Sequence, residues 1–162
     1  MNFIEYVKEN KKEFALKVTD ICNQLNIKPD WLMFVMWFES KLNPQAVNPI
    51  SGSTGLIQFM PSTARGLGTT TDVLKHMNNV QQLDYVLAYL RPYKGRMKRW
   101  IDVYLAVFYP KAMGDPNFVI TSDIVAKQNK IFDLNKDLDV SVKEIEAALR
   151  KQIPEKYRKD YL

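Results

Sequence analysis

Eight consecutive apolar residues run from Trp31 to Phe38 and are followed at once by the acidic residue Glu39. A run of this length fits a buried strand or a buried helix, and periodicity alone does not separate the two. Pro29 favours a helix, because its fixed φ and missing N–H suit a first helical turn. The pair Asn43-Pro44 favours an end soon afterwards. The sequence therefore predicts a core helix over residues 29–41, with Glu39 near its C-terminal end.

The remaining hydrophobic pattern is also helical. Apolar residues at three- and four-residue steps predict an amphipathic helix over residues 2–26. A sequence that resembles a capping box, Asn79 to Gln82, opens a helix that continues to Leu90. Further helical segments are predicted at 61–66, 71–77, 100–109, 122–132 and 141–151.

No segment alternates as a strand would, so the predicted fold class is all-α. We expect one main domain over residues 1–117. Residues 118–162 are expected to add a C-terminal helix-loop-helix that packs on the same domain.

Composition and charge narrow the function classes. The chain has 162 residues, 46% of them hydrophobic, which suits one domain with a real core. Its net charge of +5 favours acidic partners such as nucleic acid, anionic lipid or an anionic cell wall, but no nucleic-acid motif is present. No apolar run approaches a membrane span, so no membrane partner is expected. The charged N-terminus predicts that the protein has no signal peptide and is made in the cytoplasm.

Two residue types occur only once. The single cysteine, Cys22, excludes an intrachain disulfide and falls on the apolar face of the first predicted helix, where a core role is expected. The single histidine, His76, excludes a His-rich zinc site, and a solvated or capping role is expected for it.

Glu39 is the first candidate for chemistry. Apolar surroundings and the negative end of a helix both disfavour a charged carboxylate and raise its pKa. A carboxylic acid that stays protonated near neutral pH can act as a general acid. The alternative interpretation is a surface glutamate at a helix end.

The segment that follows, residues 42–60, has the composition of a loop. Ordered loops of this length inside a compact domain are usually functional. Gly52 and Gly55 let the backbone approach a ligand closely, and Gln58 offers a donor and an acceptor to a sugar hydroxyl or N-acetyl group.

The combined pattern resembles the lytic transglycosylases of the soluble-lytic, goose-lysozyme-like type. The family signature runs Glu-Ser, then Pro-x-Ala, then Gly-x-x-Gly-Leu-x-Gln-x-Met-Pro and Thr-Ala, and every element stands in order between Glu39 and Ala64. The resemblance implies a lysozyme-like helical fold that acts on peptidoglycan. It also implies that Glu39 is the general acid and base and that a sugar groove is lined by Ser40, Gly55, Gln58 and Met60.

The family's third motif, Ala-Tyr-Asn-Ala-Gly, is altered here. It falls at Phe108 to Ala112, where Tyr109 is retained and Pro110 replaces the expected Asn. Tyr109 is expected to bond the Glu39 carboxyl and orient it; the alternative is that it only ends a core helix. The Tyr-Pro variant resembles phage-encoded members, which implies action in phage lysis or as a component of a phage tail. A monomer is otherwise expected.

The implied reaction needs one carboxyl and no cofactor. Glu39 protonates the bond between N-acetylmuramic acid and N-acetylglucosamine and then takes a proton from the muramic acid 6-hydroxyl, which closes a 1,6-anhydro ring. A lysozyme-type hydrolase would need a second carboxylate, for which Asp72, Asp84 and Asp102 are available. A catalytically inactive virion protein that only binds the cell wall is a further alternative.

A second constellation lies near the C-terminus. Six residues with oxygen-bearing side chains follow the spacing of an EF-hand loop: Asp133, Asn135, Asp137, Asp139, Ser141 and Glu144. Leu138 stands where the motif requires glycine, and a left-handed conformation there costs on the order of 1–2 kcal/mol. The spacing predicts a structural Ca²⁺ site. The alternative is a polar turn followed by a Ser141–Glu144 capping box.

Overall fold

Helices form most of the chain, as the hydrophobic pattern predicts. The computed structural model describes all 162 residues, of which 57% are helical. Eight α-helices occur in the order α1 (Lys11–Leu25), α2 (Pro29–Ser40), α3 (Pro61–Gly66), α4 (Thr71–Lys75), α5 (Asn79–Leu90), α6 (Trp100–Phe108), α7 (Asp123–Gln128) and α8 (Val142–Gln152). Short 3-10 turns cover Ile4–Tyr6, Arg91–Tyr93, Pro110–Ala112 and Glu155–Tyr161. The all-α prediction is confirmed, and none of the helices is long and apolar enough to span a membrane.

The contacts divide the chain into two compact units, Met1–Gly95 and Arg96–Leu162. This division lies ahead of the predicted domain boundary between residues 117 and 118, which stays a prediction.

The first unit is built on α1, which packs against α2 and α5. Its core combines one face of α1, the fully buried Leu32–Met36 segment of α2, and Leu83 and Leu90 of α5. Cys22 lies in this core with no exposed surface, as predicted, and burial raises the pKa of its thiol to about 12.

In the second unit, the buried Trp100 ring packs edge-on against the Tyr161 ring, with the ring centroids 5.9 Å apart. Two-residue strands β1 (Val119–Ile120) and β2 (Val140–Ser141) pair antiparallel, with Ile120 opposite Val140. The sequence did not predict these strands, because two residues are too few to show alternation.

The predicted helix over residues 2–26 is wrong at its N-terminal end. Asn10 has a left-handed φ of 51°, and α1 begins only at Lys11. The reason is tertiary packing: Phe3 is completely buried, with its ring 4.9 Å from that of Trp37 in α2. A continuous helix would carry Phe3 away from this contact.

The predicted helix over residues 122–132 is likewise too long. α7 ends at Gln128, and the chain turns so that the buried Phe132 ring lies 5.4 Å from that of Phe108. At α5 the capping box is real but starts one residue earlier than predicted, with Asn78 as the cap and Gln81 as its partner.

Candidate active site

Glu39 lies in the last turn of α2. Pro29 occupies the first turn, and the five residues from Leu32 to Met36 are fully buried, so the helix is fixed in the core of its unit. Burial raises the pKa of the Glu39 carboxyl from an ordinary value of 4.5 to about 7. At neutral pH this group is therefore populated both as an acid and as a carboxylate.

The chain leaves α2 through two consecutive left-handed residues, neither of them glycine. Lys41 has φ 55° and Leu42 has φ 61°. Such a conformation costs on the order of 1–2 kcal/mol per residue. Burial of Leu42 and the position of the Lys41 ammonium, 3.7 Å from the Trp37 ring centroid, offset part of this cost. The sharp reversal places the loop beside the end of the helix that carries Glu39.

Ser40 joins the helix to that loop. Its hydroxyl oxygen lies 2.9 Å from the carbonyl oxygens of both Met36 and Leu56, and its single proton can serve either acceptor. The residue is only 7% exposed. Ser40 therefore supports the loop from the inside, and its predicted contact with substrate stays a prediction.

The loop after Asn43 is ordered by its own backbone. Thr54 and Phe59 exchange two backbone hydrogen bonds of 2.9 Å. Gln58 adopts a left-handed φ of 57°, and its amide donates to the carbonyls of Ala46 and Gly55. The Gln58 amide nitrogen thus holds the loop. Met60, at the loop's end, is 54% exposed.

Gly55 is required by a close approach of another side chain. Its φ is +87°, and a Cβ added there would lie 2.5 Å from Oε1 of Gln82. The sequence suggested that Gly55 lets a ligand approach. What approaches it in the folded chain is Gln82, on α5.

Tyr89, also on α5, is a partly buried tyrosine whose hydroxyl is influenced by the charge of Glu39. Its ring meets Phe59 edge-on at 6.3 Å, and its hydroxyl is hydrogen-bonded with Tyr93. Burial raises the pKa of the Tyr89 hydroxyl above its usual range, and Tyr93 and the Glu39 carboxylate add to the rise. A phenol that stays protonated near a carboxylate can donate to it.

Tyr109 belongs to the second unit, where it follows α6 and lies 6.1 Å, ring to ring, from Phe118. Its predicted bond to Glu39 stays a prediction.

The three aspartates that the sequence offers as a second catalytic carboxylate are either exposed to solvent or hydrogen-bonded to the backbone. The carboxylate of Asp84 is 70% exposed and pairs with Lys17 at 3.0 Å, and that of Asp72 is 86% exposed. Asp102 is buried, but it caps α6 by accepting from the backbone N–H groups of Lys98, Arg99 and Gly114.

The predicted calcium loop has a turn whose backbone resembles that of an EF-hand. Leu138 adopts the left-handed φ of 69° that the sixth loop position demands. The Ser141–Glu144 capping box is present, and it uses Oε2 of Glu144 while Oε1 is buried without a hydrogen-bond partner. No three His, Cys, Asp or Glu side chains are arranged to hold a metal ion. The predicted ligands therefore line the loop without forming a ready-made cluster.

Comparison with protein families gives one match, the transglycosylase SLT domain, over residues 19–109. This match covers more than half of the chain. The chain belongs to the SLT transglycosylase family. No curated protein and no solved structure matches the chain.

SLT domains are lytic transglycosylases that cleave glycosidic bonds of peptidoglycan, and this chain is such an enzyme. Its helical fold is that of a lysozyme-like SLT domain. The matched range contains Glu39, the loop after it and α5, and it ends at Tyr109. The EF-hand-like loop lies outside the SLT match.

Sequence reasoning missed two residues of this SLT domain. The sequence patterns do not single out Tyr89, and they predict Gln82 only as the last residue of a capping box. A buried glutamine gives no periodic signal, because its position on a helix is compatible with either a core or a surface face. Only the folded structure brings Gln82 to Gly55.

Proposed function

We propose that this SLT domain cleaves the β-1,4 bond between N-acetylmuramic acid and N-acetylglucosamine, with Glu39 as the single general acid and base. The observation that carries the proposal is the partly buried position of Glu39 at the end of α2, where desolvation raises the pKa of its carboxyl to about 7. A group poised near the working pH can both give and take a proton.

In the first step the protonated Glu39 gives its proton to the glycosidic oxygen as the bond from that oxygen to C1 of the muramic acid breaks. In the second step the Glu39 carboxylate takes the proton of the 6-hydroxyl as O6 bonds to C1. The product is a 1,6-anhydromuramic acid, no water is consumed, and Glu39 regains its starting state.

The substrate contacts are proposed on the same basis. Met60 is exposed beside the ordered loop, which supports its assignment to the sugar groove. Gln58, Gly55 and Ser40 are proposed to line the same groove. Tyr109 is proposed to orient the Glu39 carboxyl. Hydrolysis is the weaker alternative, because it needs a second carboxylate. The carboxylates of Asp84 and Asp72 are exposed to solvent, and that of Asp102 already accepts three backbone N–H hydrogen bonds.

The test is mass spectrometry of purified peptidoglycan digested with the wild-type protein and with Glu39→Gln. Anhydro-muropeptides from the wild type, and a loss of rate on the order of a hundred- to ten-thousandfold in the variant, are expected. Glu13→Gln, at an exposed position of α1, is the matched control and should keep full activity. Reducing ends would instead establish hydrolysis, and an absence of products would indicate a wall-binding protein.

We also propose that the loop from Asp133 to Glu144 binds a structural Ca²⁺. The left-handed Leu138, at the loop position where EF-hands have glycine, and the unpartnered Oε1 of Glu144 support this. Saturating Ca²⁺ is expected to raise the melting temperature by roughly 5 °C over chelator. Asp133→Ala should abolish the shift while the exposed Asp20→Ala keeps it; an unchanged wild-type midpoint would contradict the proposal.

A phage origin, as a lysis enzyme or tail component, is proposed from the Tyr109-Pro110 variant alone. Unless it is a tail component, the protein is proposed to be a monomer in solution, with a mass near 18.9 kDa by light scattering.

A further inference from the structure

Gln82 carries the most completely buried side-chain amide of the first unit. The residue has no exposed surface and lies on α5 between the exposed Gln81 and the buried Leu83. Its Oε1 accepts a hydrogen bond of 3.0 Å from the backbone N–H of Leu56. Its Nε2 donates to the carbonyl oxygens of Pro44 and, at 2.8 Å, of Leu74. A buried amide is tolerated only when its hydrogen bonds are made, and both donor protons of Gln82 have acceptors.

These bonds join three separate segments. Pro44 stands where the loop leaves α2, Leu56 stands near the loop's other end, and Leu74 belongs to α4. One side chain therefore holds both ends of the loop against the helices of its unit. The Gln58 amide also joins the two ends, through the carbonyls of Ala46 and Gly55, whereas Gln82 ties them to α4 and α5 as well.

The path continues from Leu56 to the catalytic helix. The carbonyl of Leu56 lies 2.9 Å from the hydroxyl of Ser40, and Ser40 directly follows Glu39. Gln82 thus reaches the residue beside Glu39 through one residue of the loop, Leu56, and one hydroxyl. Gly55 keeps the path open, because any side chain there would displace the Gln82 amide.

We propose that Gln82 is a positioning residue for catalysis, which clamps the loop from Pro44 to Gln58 against the end of α2 and so fixes the Glu39 carboxyl in its water-poor setting. This inference rests on the proposed role of Glu39. It assigns a function in the reaction to a residue that touches neither substrate nor the reacting atoms. Loss of the clamp lets water reach Glu39, which favours the carboxylate and lowers the fraction of active acid at neutral pH.

Gln82→Met tests the clamp, since it keeps volume and removes all three hydrogen bonds. Rates are measured on purified glycan strands, at a temperature where circular dichroism shows every variant folded. We expect kcat to fall by about tenfold with KM nearly unchanged, because a misplaced catalytic group affects the chemical step more than binding. The alkaline limb of the kcat profile should also move to lower pH. Gln24→Met, at an exposed position of α1, is the control and should change neither quantity.

A second variant serves if Gln82→Met does not fold. Gln82→Glu keeps the side-chain shape and the oxygen that accepts from the N–H of Leu56. It removes the N–H donors to the carbonyl oxygens of Pro44 and Leu74. Protonation of this buried carboxyl restores one donor, so the deficit in kcat relative to wild type should shrink as the pH is lowered.

A Gln82→Met protein that melts earlier but keeps wild-type kcat and alkaline limb would overturn the inference, since Gln82 would then only stabilise the fold. A Gln82→Glu deficit that does not change with pH would overturn it as well. An active Glu39→Gln protein would instead overturn the proposed function, and that result is separate from the behaviour of the Gln82 variants.

Discussion

Under the proposed function, single residues combine functional and structural demands that oppose one another. Glu39 is the clearest case. Its desolvated position favours the protonated carboxyl, but the folded chain loses stability when the carboxyl ionises. The left-handed pair Lys41 and Leu42 is a second case, where backbone strain lies immediately after the candidate acid. In both cases, packing of the surrounding helices offsets the local free-energy cost.

The raised pKa of Glu39 predicts a pH-dependent effect on stability. The carboxyl titrates near 4.5 in the unfolded chain and at about 7 in the folded one, so between these values the folded state binds more protons. The folded state therefore loses stability as the pH rises through this window, by up to about 3 kcal/mol in total.

Glu39→Gln should remove this loss, because the amide does not ionise. We expect the variant to be more stable than wild type by denaturant unfolding at pH 8 and to have a similar stability at pH 4. Glu13→Gln is again the matched control. A variant less stable than wild type at pH 8 would contradict a water-poor setting for Glu39.

At the scale of elements, the sequence predicted those parts of the fold that local patterns determine. The apolar run after Pro29, the cap of α8 and the turn at Leu138 all follow from residues within a few positions of one another. The segment before Asn10 and the end of α7 were wrong, because distant aromatic contacts of Phe3 and Phe132 override helical periodicity there.

The site divides in the same way. Glu39 and the glycine-rich loop are recognisable from the sequence, whereas the reason for Gly55 is a side chain 27 positions away on another helix. Such a contact leaves no trace in spacing or composition. It exists only once α5 has packed against the loop.

Gly55→Ala tests the packing of the loop against Gln82. The added Cβ would lie 2.5 Å from Gln82 Oε1 and would force alanine into a φ of +87°, so we expect a loss of roughly 2–4 kcal/mol in unfolding free energy. Gly66→Ala is the control, since that glycine ends α3 with no neighbour within 4 Å. It should be neutral or stabilising by less than about 1 kcal/mol. Equal effects at the two glycines would argue against the tight contact.

The whole molecule carries an excess of positive charge, 23 lysines and arginines against 18 aspartates and glutamates. For an enzyme of peptidoglycan, this excess favours walls that bear anionic polymers. Binding to such sacculi, measured by co-sedimentation, should weaken several-fold between about 0.02 and 0.3 M salt, because ions screen the attraction. Sacculi stripped of anionic polymers are the control. An identical salt dependence on stripped walls would show that net charge does not direct binding.

The buried Cys22 has a practical consequence for measuring how the loop behaves. Its thiol is inaccessible and scarcely ionised at neutral pH, so thiol-directed dyes should leave the native protein unlabelled. Ile50, at the tip of the loop that Gln82 clamps, is 97% exposed. A single Ile50→Cys substitution therefore provides one reactive thiol without removal of the native one, and a fluorophore attached there would report the motion of the loop in real time as glycan binds.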